Sequence, residues 1–270
     1  MTDAKNLDTY YNGIAEIYDT TRSLPPAIEQ QVAAFILRQV SATPQTTFLE
    51  LGIGTGLIAI PIVQKGYSYT GIDISQEMMA QIPRKLGTVP NHLTLIQSDA
   101  STLNFEDHSF DVILMRHLMH LISDWQLMLS EIRRVLKPGG VYLYCESPWT
   151  PHQTEFEEQW KTVLRQQPGY QMPSFENDDR ATQATVIDWL RAQGAIVETA
   201  IVAQWQVEET VGDRLALYET RDHGSCWTVP DSEFPKAMQE FRAWCEQHYG
   251  SEDAIISSEG IFTIVSARWF

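Results

Sequence analysis

The chain has 270 residues, 43% of them hydrophobic, and a formal net charge of −16. That length holds one large domain, or one domain with an elaboration, around a sizeable core. So acidic a surface repels phosphate backbones and anionic lipid, which argues against nucleic-acid and membrane partners.

Residues 1–25 carry Tyr10, Tyr11, Ile14, Ala15, Ile17 and Tyr18, an apolar set near helical spacing. Asp19 and Arg22 follow, and Pro25-Pro26 end the segment; by itself this is a helix that covers a core. Ile28 to Val40 is amphipathic, with Val32, Phe35, Ile36 and Val40 on one face, and is expected to pack on a sheet. Phe48 to Leu51 then reads as a buried strand, glycines 52, 54 and 56 as a tight turn, and Leu57 to Val63 as a helix start. Such glycines allow positive φ and a close approach of ligand to backbone, although a tight turn needs glycine for steric reasons too. Pro61 lies early in that helix, where its missing N–H matters least, and Gly66 ends it.

Tyr69 to Ser75 is the second strand and puts Asp73 at its end. An ionised carboxylate there is acceptor-only and suits two vicinal ribose hydroxyls. Ser75 is the expected N-cap of a helix from Gln76 to Leu86, with Met78, Met79 and Ile82 facing inward. Leu93 to Gln97 is the third strand, leading to Asp99, whose ordinary role would be a turn cap. Phe110 to Met115 is the fourth, after which Arg116, His117 and His120 are expected to enter a helix with Leu118, Leu121 and Ile122. Ligands of α/β sheets lie beyond the carboxyl ends of strands, so Met115, Arg116 and His117 are candidates for contact. Leu127 to Leu136 is an amphipathic helix, Lys137-Pro138-Gly139-Gly140 a turn, and Val141 to Cys145 the fifth strand.

After Glu146 the pattern is broken by Pro148, Trp149 and Pro151. Helices are expected around Phe156–Leu164 and over Thr182–Gln193, a long sixth strand over Ile196–Val207, a helix over Ser232–Tyr249 and a last strand over Ile261–Trp269. About fifty residues separate the last two strands, and connections so long in compact domains are usually functional or separately folded.

The segment Glu50-Leu51-Gly52-Ile53-Gly54-Thr55-Gly56 resembles the first motif of class I S-adenosylmethionine-dependent methyltransferases. A dinucleotide loop would read G-x-G-x-x-G, and the place of its third glycine is taken by Leu57. Asp73, the segment Leu95 to Ala100, and Phe110 to Leu114 followed by Leu136 to Gly140 continue the likeness in the family's order, over roughly residues 10–147. The resemblance implies a doubly wound, Rossmann-like α/β sheet of seven strands with the last antiparallel, here with helical cap insertions. It implies S-adenosylmethionine as cofactor and S-adenosylhomocysteine as product. Cofactor contacts are expected from Tyr18, Arg22, Glu50, Gly52, Gly54, Gly56, Asp73, Ile74, Met78, Asp99, Ala100, Met115 and Arg116. On that likeness the Arg22 guanidinium meets the methionine carboxylate, Asp99 the adenine amino group, and the Ala100 N–H a ring nitrogen.

Methyl transfer needs few catalytic groups, because an activated donor asks mainly for orientation. His117 is the candidate general base, with a pKa near working pH. A helix cap or plain packing is its alternative role, and His120 is taken as structural. No Asp/Asn-Pro-Pro-Tyr/Phe segment follows the fourth strand, which favours a small-molecule acceptor. Tyr218, Arg221 and Trp227 are expected to line an enclosed apolar acceptor pocket under the cap, whereas Phe241, Trp244 and Cys245 share a helix face of its core. The domain expectation is a lid and cofactor core over 1–147, a first cap segment with helix and sixth strand over 148–207, a helical insertion over 208–257, and the last strand over 258–270. A nicotinamide-dependent oxidoreductase and a cofactor-binding protein without activity are the competing functions. Cys145, Cys226 and Cys245 lack metal-ligand spacing, no apolar run is long enough to span a bilayer, and the start has no apolar signal region. A metal-free, cytoplasmic protein is therefore expected, with no call on its oligomeric state.

Overall fold

The computed structural model describes residues 3–148, 150–170, 181–221, 224–226 and 229–270. Among these, seven strands form one sheet: β1 Thr47–Leu51, β2 Ser68–Asp73, β3 Leu93–Gln97, β4 Phe110–Arg116, β5 Leu136–Glu146, β6 Ile196–Thr210 and β7 Ile255–Arg268. Their order is β3-β2-β1-β4-β5-β7-β6. Strands β1 to β5 pair in parallel, and β7 lies antiparallel to β5 with Cys145 opposite Ile264. In β1, Phe48, Leu49 and Leu51 are fully buried, the near-continuous apolar run expected of a parallel strand covered on both faces.

The helices are α1 Asp3–Ile14, α2 Tyr18–Arg22, α3 Pro26–Gln39, α4 Ala59–Val63, α5 Gln76–Met79, α6 Gln81–Leu86, α7 Trp125–Val135, α8 Pro151–Leu164, α9 Gln183–Ala192, α10 Val211–Glu219 and α11 Phe234–Tyr249. Helix α7 shows how the sequence makes one. The Asp124 carboxylate accepts from Leu127 N at its start, and Met128, Leu129, Ile132 and Val135 are buried along one face. Helix α7 packs on β5, and α4 and α5 on β2.

Three local expectations change. The helix over Gln76–Leu86 is broken at Ala80 into α5 and α6, because Pro83 has no N–H to return to the carbonyl of Met79. No α-helix begins at Arg116: His117 has a positive φ of 51°, and only a 3₁₀ turn over Met119–Leu121 separates β4 from α7. Strand β5 begins before the Lys-Pro-Gly-Gly segment, where its register on β4 shifts between the pairs Phe110–Leu136 and Val112–Val141. The Asp111 carboxylate, bonded by Lys137 Nζ and by Thr47 N, both at 2.8 Å, ties these strand starts together.

The chain divides into two compact units. The first contains residues 1–146, 178–203 and 262–270, and the second 147–177 and 204–261. The chain therefore passes from one to the other within β6 and within β7. The second unit has its own core, built from α8, α10 and α11 around Phe156, Trp160, Tyr218 and Phe241. Cys145, Cys226 and Cys245 are buried. No helix among the described residues is long and apolar enough to cross a membrane.

Candidate active site

Chain order reverses between β1 and β4, and a doubly wound sheet opens a crevice at their carboxyl ends. A cavity of about 330 Å³ lies there, within the first unit. Its floor is the glycine turn after β1, where Gly52 and Gly54 have φ of 66° and 54°. The turn is held by Asp73 at the end of β2. Its carboxylate accepts from Gly54 N at 2.8 Å and from Ser75 N at 2.9 Å. Burial pushes the Asp73 pKa up, opposed by those backbone donors. Ser75 caps α5 by accepting from Met78 N at 3.1 Å.

Asp99 also borders the cavity while its carboxylate accepts from Ser101 N at 2.8 Å, so the turn-cap role and the lining role coexist. Ile74, Met78, Ala100, Leu118, Leu121 and Ile122 make the walls largely apolar. Asp73, Asp99, Arg116 and His117 set polar groups among them, and apolar walls with placed polar groups are the usual form of a small-ligand site. Tyr11 and Tyr18 border it from α1 and α2. Those helices are pinned locally: Ser75 Oγ donates to Asn12 Oδ1 and Thr55 Oγ1 to Asp19 Oδ1, each at 2.6 Å, while Lys85 pairs with Asp19.

A small recess continues behind the glycine turn, bordered by Tyr18, Glu50, Gly52, Gly54, Arg116 and His117. Glu50 is 3% exposed and accepts from Tyr69 OH at 2.7 Å. Burial pushes its pKa up to about 8, so the carboxyl holds its proton at neutral pH. Arg116 is half-buried and donates from Nη2 to the carbonyl of Arg22 at 3.2 Å. Its Nε is sealed from solvent without a partner, and its guanidinium lies 5.9 Å from the Phe262 ring. His117 is half-buried; burial first, then the Arg116 charge, holds its pKa well below the usual imidazole value. That direction runs away from the pKa near working pH expected of it.

Several expected contacts fall elsewhere. Gly56 borders neither cavity nor recess; a Cβ there would stand 2.9 Å from Ile82 Cγ1, so this glycine serves close helix packing. Met115 is fully buried, accepts from Tyr142 OH through Sδ, and belongs to the core. Arg22 borders neither space; its guanidinium lies 5.4 Å from the Tyr18 ring. Tyr218 has no exposed surface with which to line a pocket: it packs on Trp160 and Phe241 and donates to Glu157 at 3.3 Å. Arg221 pairs with Asp231 at 2.9 Å and covers the Phe234 ring at 4.0 Å. Trp227 lies outside the described residues.

Ser98 lines the cavity from within the segment Leu95 to Ala100, and Tyr11, Ser101, Thr102, Ser123, Asp124 and Leu127 line it without having been expected there. Position beyond the carboxyl end of β3 is a usable signal for Ser98 to Thr102. Ser123, Asp124 and Leu127 carry none, since the turn that brings them in follows an unforeseen positive φ at His117.

Residues 49–144 match a family described as a methyltransferase domain. The demethylmenaquinone methyltransferase of Streptomyces avermitilis is 30% identical over 154 residues, covering 55% of this chain and 64% of that protein. Sterol 4-C-methyltransferase strm-1 of Caenorhabditis elegans is 23% identical over 223 residues, covering 78% and 62%. The chain thus spans under two thirds of the length of these relatives. The YcgJ protein of Bacillus subtilis shares the fold, with a TM-score of 0.56 and 18% identity over 88% of this chain and 99% of that one.

Proposed function

Because the chain carries a domain of the class I S-adenosylmethionine-dependent methyltransferases, we propose that it transfers the methyl group of that cofactor to a small organic acceptor. The observation that carries this is the half-buried Asp73 carboxylate, bound to the glycine turn and bordering a largely apolar cavity at the reversal of the sheet. A carboxylate with two backbone donors keeps lone pairs for vicinal ribose hydroxyls. Asp99 and the Ala100 N–H suit an adenine edge, and Ile74, Met78, Leu118 and Leu121 suit its faces. The Arg116 guanidinium suits the carboxylate of an amino-acid end, and the Glu50 carboxyl offers its ammonium an acceptor oxygen.

The bound cofactor supplies a methyl group on a cationic sulfur, already activated for displacement. What remains for the chain is orientation and exclusion of water. His117 can accept a proton from an acceptor, but its lowered pKa makes it a weak base. The names of the two relatives and the net charge of −16 support a compact organic acceptor over a nucleic acid. Buried thiols fit a reducing compartment, in keeping with a cytoplasmic enzyme.

The test is incubation with methyl-labelled cofactor and a panel of quinol, sterol and amine acceptors, with products read by mass spectrometry. Label in at least one acceptor is expected. Binding of cofactor with no transfer to any of them would favour a binding protein without activity.

A further inference from the structure

We infer that Arg116 clamps the carboxylate at the amino-acid end of the cofactor, the role that the sequence resemblance gives to Arg22. The inference rests on the cofactor assignment above and adds a specific ion pair to it.

Arg116 ends β4, one residue beyond the pair Leu51–Met115, and so stands beside Gly52 at the mouth of the turn. It borders both the cavity and the recess. A guanidinium has five N–H donors. Here one hydrogen bond is formed, from Nη2 to a backbone carbonyl, and Nε is sealed away with no partner. No carboxylate of the described residues lies within ion-pair distance of it. Acids are not scarce: 35 Asp and Glu stand against 19 Lys and Arg. Elsewhere in the chain the cations find them, as Arg134 does with Asp107 and Glu131, and Arg242 with Glu219 and Glu252. A partly desolvated charge without a counter-ion is costly in the free protein. A ligand carboxylate entering the recess relieves that cost, and the planar fork of Arg matches its two oxygens.

Glu50 borders the same recess, but its carboxyl accepts from Tyr69 OH and forms no ion pair with Arg116. A neutral carboxyl offers an ammonium only an acceptor oxygen, so Arg116 supplies the charge on this small space, and the ligand group that answers it is a carboxylate. The Arg22 side chain borders neither space, although its charge reaches His117. Its guanidinium lies against the Tyr18 ring, and its backbone carbonyl is the acceptor that orients Arg116.

The test is calorimetric titration of the full chain with S-adenosylhomocysteine and with 5′-methylthioadenosine, which keeps the nucleoside and sulfur but lacks the amino-acid end. Arg116→Gln should raise the Kd for S-adenosylhomocysteine by about 10- to 100-fold, the usual range for a hydrogen bond to a charged group. The Kd for 5′-methylthioadenosine should stay as in wild type. Arg116→Lys, which keeps the charge and guards against a folding defect, should recover part of the loss. Arg22→Gln should change neither ligand strongly. Equal weakening of both ligands by Arg116→Gln, no weakening at all, or a carboxylate-specific loss in Arg22→Gln instead would overturn the inference and leave the cofactor assignment standing. If wild type binds neither ligand, the cofactor assignment falls first, and the inference with it.

Discussion

Asp73 performs two tasks with one carboxylate, holding the glycine turn through Gly54 and capping the strand end through Ser75. Asp73→Ala should therefore weaken S-adenosylhomocysteine by about 1.5–3 kcal/mol, the loss of a hydrogen bond to a charged group. Calorimetry at fixed pH checks this, and unchanged affinity would remove Asp73 from the site. Glu50 makes a prediction about pH. Its folded pKa of about 8 lies above the ordinary 4.5, so between those values the folded state holds a proton that the unfolded chain releases. The stability it contributes is complete below about pH 4.5 and is lost as pH rises through 8. Wild type free of ligand should lose up to about 1.4 kcal/mol per pH unit from this group across that window. Glu50→Gln should flatten that slope in urea unfolding, and an equal slope would refute the assignment. At this scale the sequence was legible where the backbone demands a residue type, as at Gly52, Gly54, Asp73 and Ser75. It was not legible at Met115 or Tyr218, whose roles depend on neighbours far along the chain, nor for the pKa of His117, which burial decides.

Among the elements, the glycine turn and its flanking helices show what spacing can and cannot tell. The third glycine looked like a ligand contact, yet Gly56 faces Ile60 and Ile82 with a φ of 83°. Gly56→Ala should cost about 2–3 kcal/mol, from positive φ and from overpacking together, and a urea midpoint equal to wild type would contradict this. Helix α2 is tied through Asp19 to Thr55 in the turn and to Lys85 in α6, and α1 through Asn12 to Ser75. The Asp19 and Lys85 side chains are partly exposed, so Asp19→Ala should change global stability by less than about 1 kcal/mol. It should instead speed hydrogen exchange over residues 10–18 and dissociation of S-adenosylhomocysteine, since local opening is governed by local contacts. Exchange unchanged in both segment and ligand release would show that the tie is not a latch. Apolar periodicity located the strands and most helices, because parallel strands and helix faces write themselves into short stretches. The break at Ala80 and the turn after β4 escaped because Pro83 and a positive φ at His117 act against otherwise helical patterns.

At the scale of the molecule, the order of motifs along the first unit fixed the sheet topology in advance, since a doubly wound sheet is built from successive βα units. The second unit was harder to foresee. Its core joins Phe156 and Trp160 to Tyr218 and Phe241, partners more than fifty residues apart, and no local pattern states such a pairing. Trp160→Ala should cost about 3–5 kcal/mol of stability, as for a fully buried aromatic. The charge of −16 bears on the whole chain. Raising the salt to about 1 M shortens the screening length to about 3 Å and should raise the Tm at neutral pH by relieving self-repulsion. A flat or falling Tm would mean that the acidic groups are already balanced locally. The central claim is that the cavity at the β1–β4 reversal holds the methyl donor. A crystal structure of the full chain grown with S-adenosylhomocysteine tests it most directly. The account predicts ligand density in that cavity, with ribose hydroxyls on the Asp73 carboxylate and adenine beside Asp99 and Ala100. Density elsewhere on the chain, or a ribose without contact to Asp73, would contradict it.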